Sequence, residues 1–146
     1  MEPVAPESSS VSESVFTKII RREIPAEIIY EDDDTLAFLD IAPVSPGHTL
    51  VVPKKPVQNI FDADDATLAA VMRTVRKIAP AVRDAVHADA LNIHSNHGAA
   101  AGQIVFHLHM HLIPRFDGDN FNMWPHKEYT EGESTKIAEE IRSKIS

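Results

Sequence analysis

The chain has 146 residues, 43% hydrophobic and 25% charged, the make-up of one soluble globular domain, and it has no cysteine, which excludes disulfides, thiolate metal sites and cysteine nucleophiles. With 14 Lys plus Arg against 22 Asp plus Glu the net charge is −8 at pH 7, which argues against a nucleic-acid or anionic-lipid partner. No apolar run approaches the roughly 18 to 20 residues of a membrane helix, and the N-terminus lacks the basic start and apolar stretch of a signal peptide, so a cytoplasmic protein without a membrane partner is expected.

Residues 1–14, MEPVAPESSSVSES, carry two prolines, five serines and three glutamates, too little apolar surface to offset the entropy of ordering. They read as a disordered tail, with residues 15–146 as one folded domain. Apolar runs at 28–30, 36–39 and 49–52 predict three short strands. Asp32, Asp33 and Asp34 make the turn between the first two, and the Pro/Gly-rich stretch 43–47 the loop before the third. A helix follows, capped by Asp62 or Asp64, with Leu68, Val71, Met72, Val75, Ile78, Val82 and Val86 at helical spacing. Pro80 interrupts it, but the apolar phase continues, which predicts a kink rather than two helices. Strands are expected at 90–93 and 104–113. A short helix at 134–145 carries Ile137, Ile141 and Ile145 on one stripe. Hairpins with segregated helices predict an α+β domain, an antiparallel sheet covered by helix on one face.

Residues 105–113 read VFHLHMHLI. Side chains alternate on a strand, so His107, His109 and His111 share one face, while Phe106, Leu108, Met110 and Leu112 share the other and form core. Ordinary packing gives no reason to line up three imidazoles. Two chemistries compete for such a row, metal binding and phosphoryl transfer. His107 and His111 stand about 13 Å apart on an extended strand, too far to share one ion through bonds of about 2 Å unless the strand bends sharply. Two adjacent histidines could share a metal with a third ligand from elsewhere. A nucleophile flanked by two helpers suits the spacing better, because imidazole near neutral pH is mostly unprotonated and able to attack phosphorus, while a protonated neighbour can donate to the leaving group. Just upstream lies SNHGAAAGQ, residues 95–103, whose glycines and alanines leave backbone N–H groups open to phosphate oxygens.

The stretch NHGAAAGQIVFHLHMHLIP, residues 96–114, resembles the signature of the histidine triad (HIT) family of nucleotide hydrolases and transferases, in its bacterial or Hint-like branch. A second matching block, FTKIIRREIPAEIIYEDDDTLAFLDIAPVSPGHTLVVPKK, covers residues 16–55. The resemblance implies a five-stranded antiparallel sheet with two helices. It implies that His109 is the nucleophile on the α-phosphate and carries a nucleotidyl group, that His111 sits near the leaving group, and that His107 and His48 orient and balance the nucleophile. Gln103, with N–H groups around Gly102 and Ile104, would hold phosphate oxygens beside Asn96. Asp40 would take the ribose hydroxyls, and Phe16, Ile19, Phe38 and Ile41 would sandwich the base. The expected substrate is a purine nucleoside phosphoramidate, with dinucleoside polyphosphates, or nucleotide binding with incidental turnover, as alternatives. The expected assembly is a homodimer.

The chain departs from the family where many bacterial members carry C-x-x-C and a later histidine as ligands of a structural zinc. Ser14, Thr17 and Pro56 occupy those positions, so no structural zinc and no cofactor are expected. Ile104 stands where many relatives have Ser, Thr or Glu, which leaves only its backbone for phosphate. His97 lies near the phosphate loop, while His87, His94 and His126 read as solvated. The Asp32 to Asp34 run reads as a turn of solvated acids. Trp124, in a loop past the active strand, reads as an interface residue.

Overall fold

The computed structural model describes residues 14–146, so the expected tail falls almost wholly outside the described residues. Ser14, counted above with the tail, belongs to the domain: it N-caps α1 (Val15–Ile20), its hydroxyl accepting from Thr17 N–H at 3.1 Å. This six-residue helix had no signal in the pattern and makes three α-helices where two were expected.

Strands β1 (Ile28–Glu31) and β2 (Thr35–Leu39) form the predicted hairpin. Asp32 builds its turn, its Oδ1 accepting from the N–H groups of Asp34 and Thr35 at 2.9 and 2.8 Å. β3 (Thr49–Pro53) precedes the long helix α2 (Asp65–Ala85), whose N-cap is Asp64. That helix runs through Pro80 as one element, with Val71, Val75, Ile78 and Val82 buried and Met72 exposed. β4 (Ala90–His94), a single 3₁₀ turn at Ala99–Ala101, β5 (Met110–Arg115) and α3 (Glu133–Lys144) complete the chain.

All strand pairs are antiparallel, in the order β1-β2-β3-β5-β4. The α+β architecture therefore stands as expected. Alternation gives the sheet two apolar faces. On one, α2 packs against Ala37, Val51, Leu108 and Leu112. On the other, Phe16 and Ile19 of α1 pack against Leu36, Phe38, Leu50 and Val52. Because α1 is short it covers only part of this second face, and Leu50↔His111 and His94↔His111 are cross-strand pairs on the part beyond it.

The last predicted strand begins later than expected, at Met110 rather than at residue 104. The β3–β5 ladder stops at Val51↔Met110, and Leu108 N–H bonds instead to Val57 O at 2.8 Å. Past Val51 the partner strand runs into Pro53, which has no N–H to offer, so the chain bends through residues 105–107. Leu108 and Leu112 reach the core as the alternation predicts, whereas Phe106 is half-buried and belongs to neither core cluster. Among the described residues no helix is long and apolar enough to cross a membrane.

Candidate active site

The three histidines lie at the junction of this bend with β5, and their partners assign each ring a distinct state. His107 is fully buried, and its Nε2 faces Pro53 O at 2.8 Å. A carbonyl only accepts, so Nε2 carries the proton and Nδ1 accepts from the hydroxyls of Ser14 at 3.3 Å and Thr17 at 3.4 Å. The two residues that stand at the C-x-x-C positions of relatives thus hold His107 by hydrogen bonds.

His109 is 7% exposed, and its Nδ1–H donates to His107 O at 2.7 Å. The Phe16 and His109 rings meet edge to face, centroids 4.9 Å apart. Its Nε2 makes no hydrogen bond among the described residues and holds the lone pair. Ser95 Oγ donates to His109 O at 2.7 Å, fixing the backbone of the nucleophile candidate from β4's end.

His48 and His111 form a directed pair. Val44 N–H donates to His48 Nδ1 at 3.0 Å, so in neutral His48 the proton is on Nε2, which donates to His111 Nδ1 at 2.9 Å. The proton of neutral His111 is thereby placed on its Nε2. Asp40 Oδ2 lies 3.7 Å from His48 Nε2, and the other Asp40 oxygen caps its own turn by accepting from Ala42 N–H. Ligand atoms of Asp40, His48 and His111 lie within 4.8 Å of one another, close enough for one metal ion. The donor pattern opposes that use: a metal-bound Nε2 would require the proton on Nδ1, where the Val44 N–H already points.

Burial lowers the proton affinity of all these rings. It is the main cause of the lowered pKa at His107 and His109, where the hydrogen bonds to Pro53 O and His107 O oppose it. It also dominates at His48, against the pull of Asp40, and at His94. At His111 burial and the neighbouring His109, His94 and His48 together push the pKa down to about 4. The folded protein consequently binds fewer protons than the unfolded chain below an ordinary histidine pKa of about 6.5. This stability contribution is complete above that value and is lost as pH falls toward about 4. The denaturant midpoint is expected to be lower at pH 5 than at pH 7; equal midpoints would show that the rings are not held neutral.

The upstream loop differs from its sequence reading. Gly102 N–H is spent on Ala99 O at 3.0 Å, inside the 3₁₀ turn, and the residue serves through its φ of +95°. Gln103 is buried, its amide donating to Gln58 O and Val105 O and accepting from Gly98 N–H and Asn59 Nδ2. Gln103 therefore braces the loop with its whole side chain. The N–H groups of Ile104, Val105 and Phe106, in the bend before His107, make no hydrogen bond among the described residues, and they replace Gly102 as the open donors. Asn96 stands beside this loop, its Nδ2 3.5 Å from Gly102 O. His97 accepts from Ile60 N–H at 2.9 Å and joins the neighbouring loop to it.

Of the residues expected around a base, Phe16, Ile19 and Phe38 are buried in the second core cluster next to the histidines. Ile41 stands apart, 92% exposed, in the turn after Asp40. His94 corrects the sequence reading: it is not simply solvated but stacks on His111, centroids 4.7 Å apart and planes 15° apart. The alternation Ala90, Asn92, His94 put it on one face of β4, but only the β4–β5 register brings that face to His111.

The chain is similar to known proteins along most of its length. The profile of the HIT domain matches residues 21–118. The chain is 47% identical over 108 residues to the Protein hit of Bacillus subtilis, covering 73% of this chain and 74% of that one. It is 42% identical over 114 residues to Adenylylsulfatase HINT3 of Arabidopsis thaliana, 77% of this chain and 58% of the relative. A crystal structure from Streptococcus mutans superposes with a TM-score of 0.87 at 40% identity, covering 92% of this chain and 86% of that one.

Proposed function

The chain belongs to the HIT domain family, and on that premise we propose that it is a nucleotide hydrolase that cleaves a nucleoside monophosphate from its leaving group, of the purine nucleoside phosphoramidase type, through a nucleotidyl-His109 intermediate. The observation that carries the reading is the state of His109: Nδ1–H is held by His107 O at 2.7 Å, which leaves an unprotonated Nε2 facing the site. In the first step Nε2 attacks the α-phosphorus, a phosphorus–nitrogen bond to His109 forms, and the bond to the leaving group breaks. In the second, water attacks that phosphorus and gives its proton to the His48–His111 pair, the phosphorus–nitrogen bond breaks, and the monophosphate leaves with the imidazole restored. The open N–H groups of Ile104, Val105 and Phe106 support the phosphate oxygens, while Gln103 and Asn96 keep the loop that presents them in shape. Asp40, beside the exposed Ile41, supports a ribose-binding role, and Phe16 with Ile19 and Phe38 walls the site toward the base.

An amine leaving group must gain a proton as it departs. The His48–His111 pair supplies it in its singly protonated form, with Asp40 at 3.7 Å stabilising the added charge. Burial keeps this pair unprotonated in the free protein, and an incoming phosphate anion raises its proton affinity. Adenylyl sulfate is a second candidate substrate, because a relative 42% identical to the chain is an adenylylsulfatase.

The test is incubation of the purified protein with adenosine and guanosine phosphoramidates, adenosine 5′-phosphosulfate and dinucleoside polyphosphates. Monophosphate release is expected, fastest from a phosphoramidate; binding without release from any of them would reduce the protein to a nucleotide-binding module. We also propose a homodimer, since Phe121, Met123 and Trp124, the last 89% exposed, line a loop that a lone domain leaves in water. Light scattering is expected to give about twice the 16.1 kDa of one chain, and a value near one chain at micromolar concentration would reject the dimer.

A further inference from the structure

We infer that His94 contacts the leaving group when that group is an anion, sulfate or phosphate, and assists the turnover of such substrates without acting on neutral amines. The inference rests on the hydrolase reading of the same site and adds a leaving-group contact to it.

Position comes first. His109, His111 and His94 are in sequential ring contact, 4.9 Å from the first to the second and 4.7 Å from the second to the third. A substrate whose α-phosphorus faces His109 and whose scissile bond lies over His111 carries its leaving group on toward His94. Hydrogen bonding comes second. His48, His97, His107, His109 and His111 each have a ring nitrogen tied to another group of the chain. The His94 ring makes no hydrogen bond among the described residues, so its N–H is available to a ligand. Because the ring lies within 15° of parallel to His111, the two imidazoles form adjacent donors suited to the oxygens of one tetrahedral anion.

Charge decides the class. Beyond His94 the open sheet face continues into a cavity of about 650 Å³, one wall of which is the Phe121 to Trp124 loop proposed above for the dimer; its lining includes Asn92, Asn96, Arg115 and His126 and holds no carboxylate, although the chain has 22 acidic residues. Arg115 is itself clasped by Asp119, outside that lining. A cationic group entering here meets no carboxylate in the lining, and an anionic one can meet the side-chain amide of Asn96 and the rings of His94, Trp124 and His126.

Two variants test this. His94→Phe keeps a stacking ring and removes the N–H, while His94→Gln keeps a donor. The loss of a hydrogen bond to a charged group predicts that His94→Phe lowers kcat/KM about 10- to 100-fold on adenosine 5′-phosphosulfate or on diadenosine triphosphate, with partial recovery in His94→Gln. A drop on the first alone identifies sulfate, and a drop on the second alone identifies phosphate. An adenosine phosphoramidate of a neutral amine should change less than about twofold, because its leaving group has no anion to bind. Equal losses on all three substrates, or no loss on either anionic one, would overturn the assignment. Should the native protein turn over none of them, the hydrolase reading fails first, and calorimetry still decides this one. Adenosine 5′-phosphosulfate and ADP are then titrated against AMP on His109→Ala protein with and without His94→Phe. Affinity gained from the sulfate or terminal phosphate and lost with His94→Phe supports the contact, and an unchanged gain, or none, rejects it.

Discussion

Replacing His109 with alanine is expected to abolish turnover and adduct formation while leaving nucleotide binding in place. The physical reason is the separation of tasks around this ring. The phosphorus–nitrogen bond can form only at a nitrogen with a free lone pair, and the Nδ1–H bond to His107 O places that lone pair on His109 Nε2. His107 has both ring nitrogens engaged and is fully buried, and His111 Nδ1 is occupied by His48, so neither offers a substitute already aimed. The ribose and phosphate contacts proposed for Asp40 and the 104–106 backbone do not pass through the imidazole, and so they survive the change. Rapid quenching followed by intact mass measurement reads the outcome directly. A nucleotidyl adduct on the His109→Ala protein, or turnover near the native rate, would remove His109 from its role.

The second large effect belongs to His111→Ala, which is expected to slow phosphoramidate cleavage by about 10²- to 10⁴-fold, the usual size of general acid help. Polyphosphates and adenosine 5′-phosphosulfate should be slowed less, because their leaving groups depart as stable anions without a proton. The pKa of about 4 in the free site sharpens the expectation. An acid that is unprotonated until substrate charge arrives makes phosphoramidate cleavage fall as pH rises, since the shared proton of the His48–His111 pair becomes harder to acquire. Removing His111 should flatten that limb. Equal losses on both substrate classes with an unchanged pH profile would leave His111 as a phosphate contact only.

The histidine row was legible because its information is local. Alternation along VFHLHMHLI separates three imidazoles from Leu108 and Leu112, and the two leucines do enter the core. The same locality made the Asp32 turn, the Asp64 cap and the phase of α2 readable, since each is a contact between residues within a few positions. The bend at 105–107 was not legible. It depends on Pro53 and Val57, some fifty positions away, one withholding a donor and the other supplying an acceptor. Helix α1 is illegible in the sequence for a related reason: six residues show less than two turns of periodicity, and its stability comes from Phe16 and Ile19 docking on the sheet.

By itself, then, the sequence determined the antiparallel α+β architecture, the core face of each long element and the family signature, all of which follow from side-chain period, turn chemistry and residue spacing. Tertiary structure alone decided which proton sits on which imidazole. The tautomers of His107, His109 and His48 are set by Pro53 O, His107 O and Val44 N–H, groups whose donor or acceptor character is invariant but whose position only the fold provides. It decided likewise that Gly102 and Gln103 shape the loop while the 104–106 backbone stays open, and that His94 joins the cluster. Strand register, not strand composition, brings His94 and His111 face to face, because pairing two strands across a sheet is a long-range choice that neither strand records in its own residues.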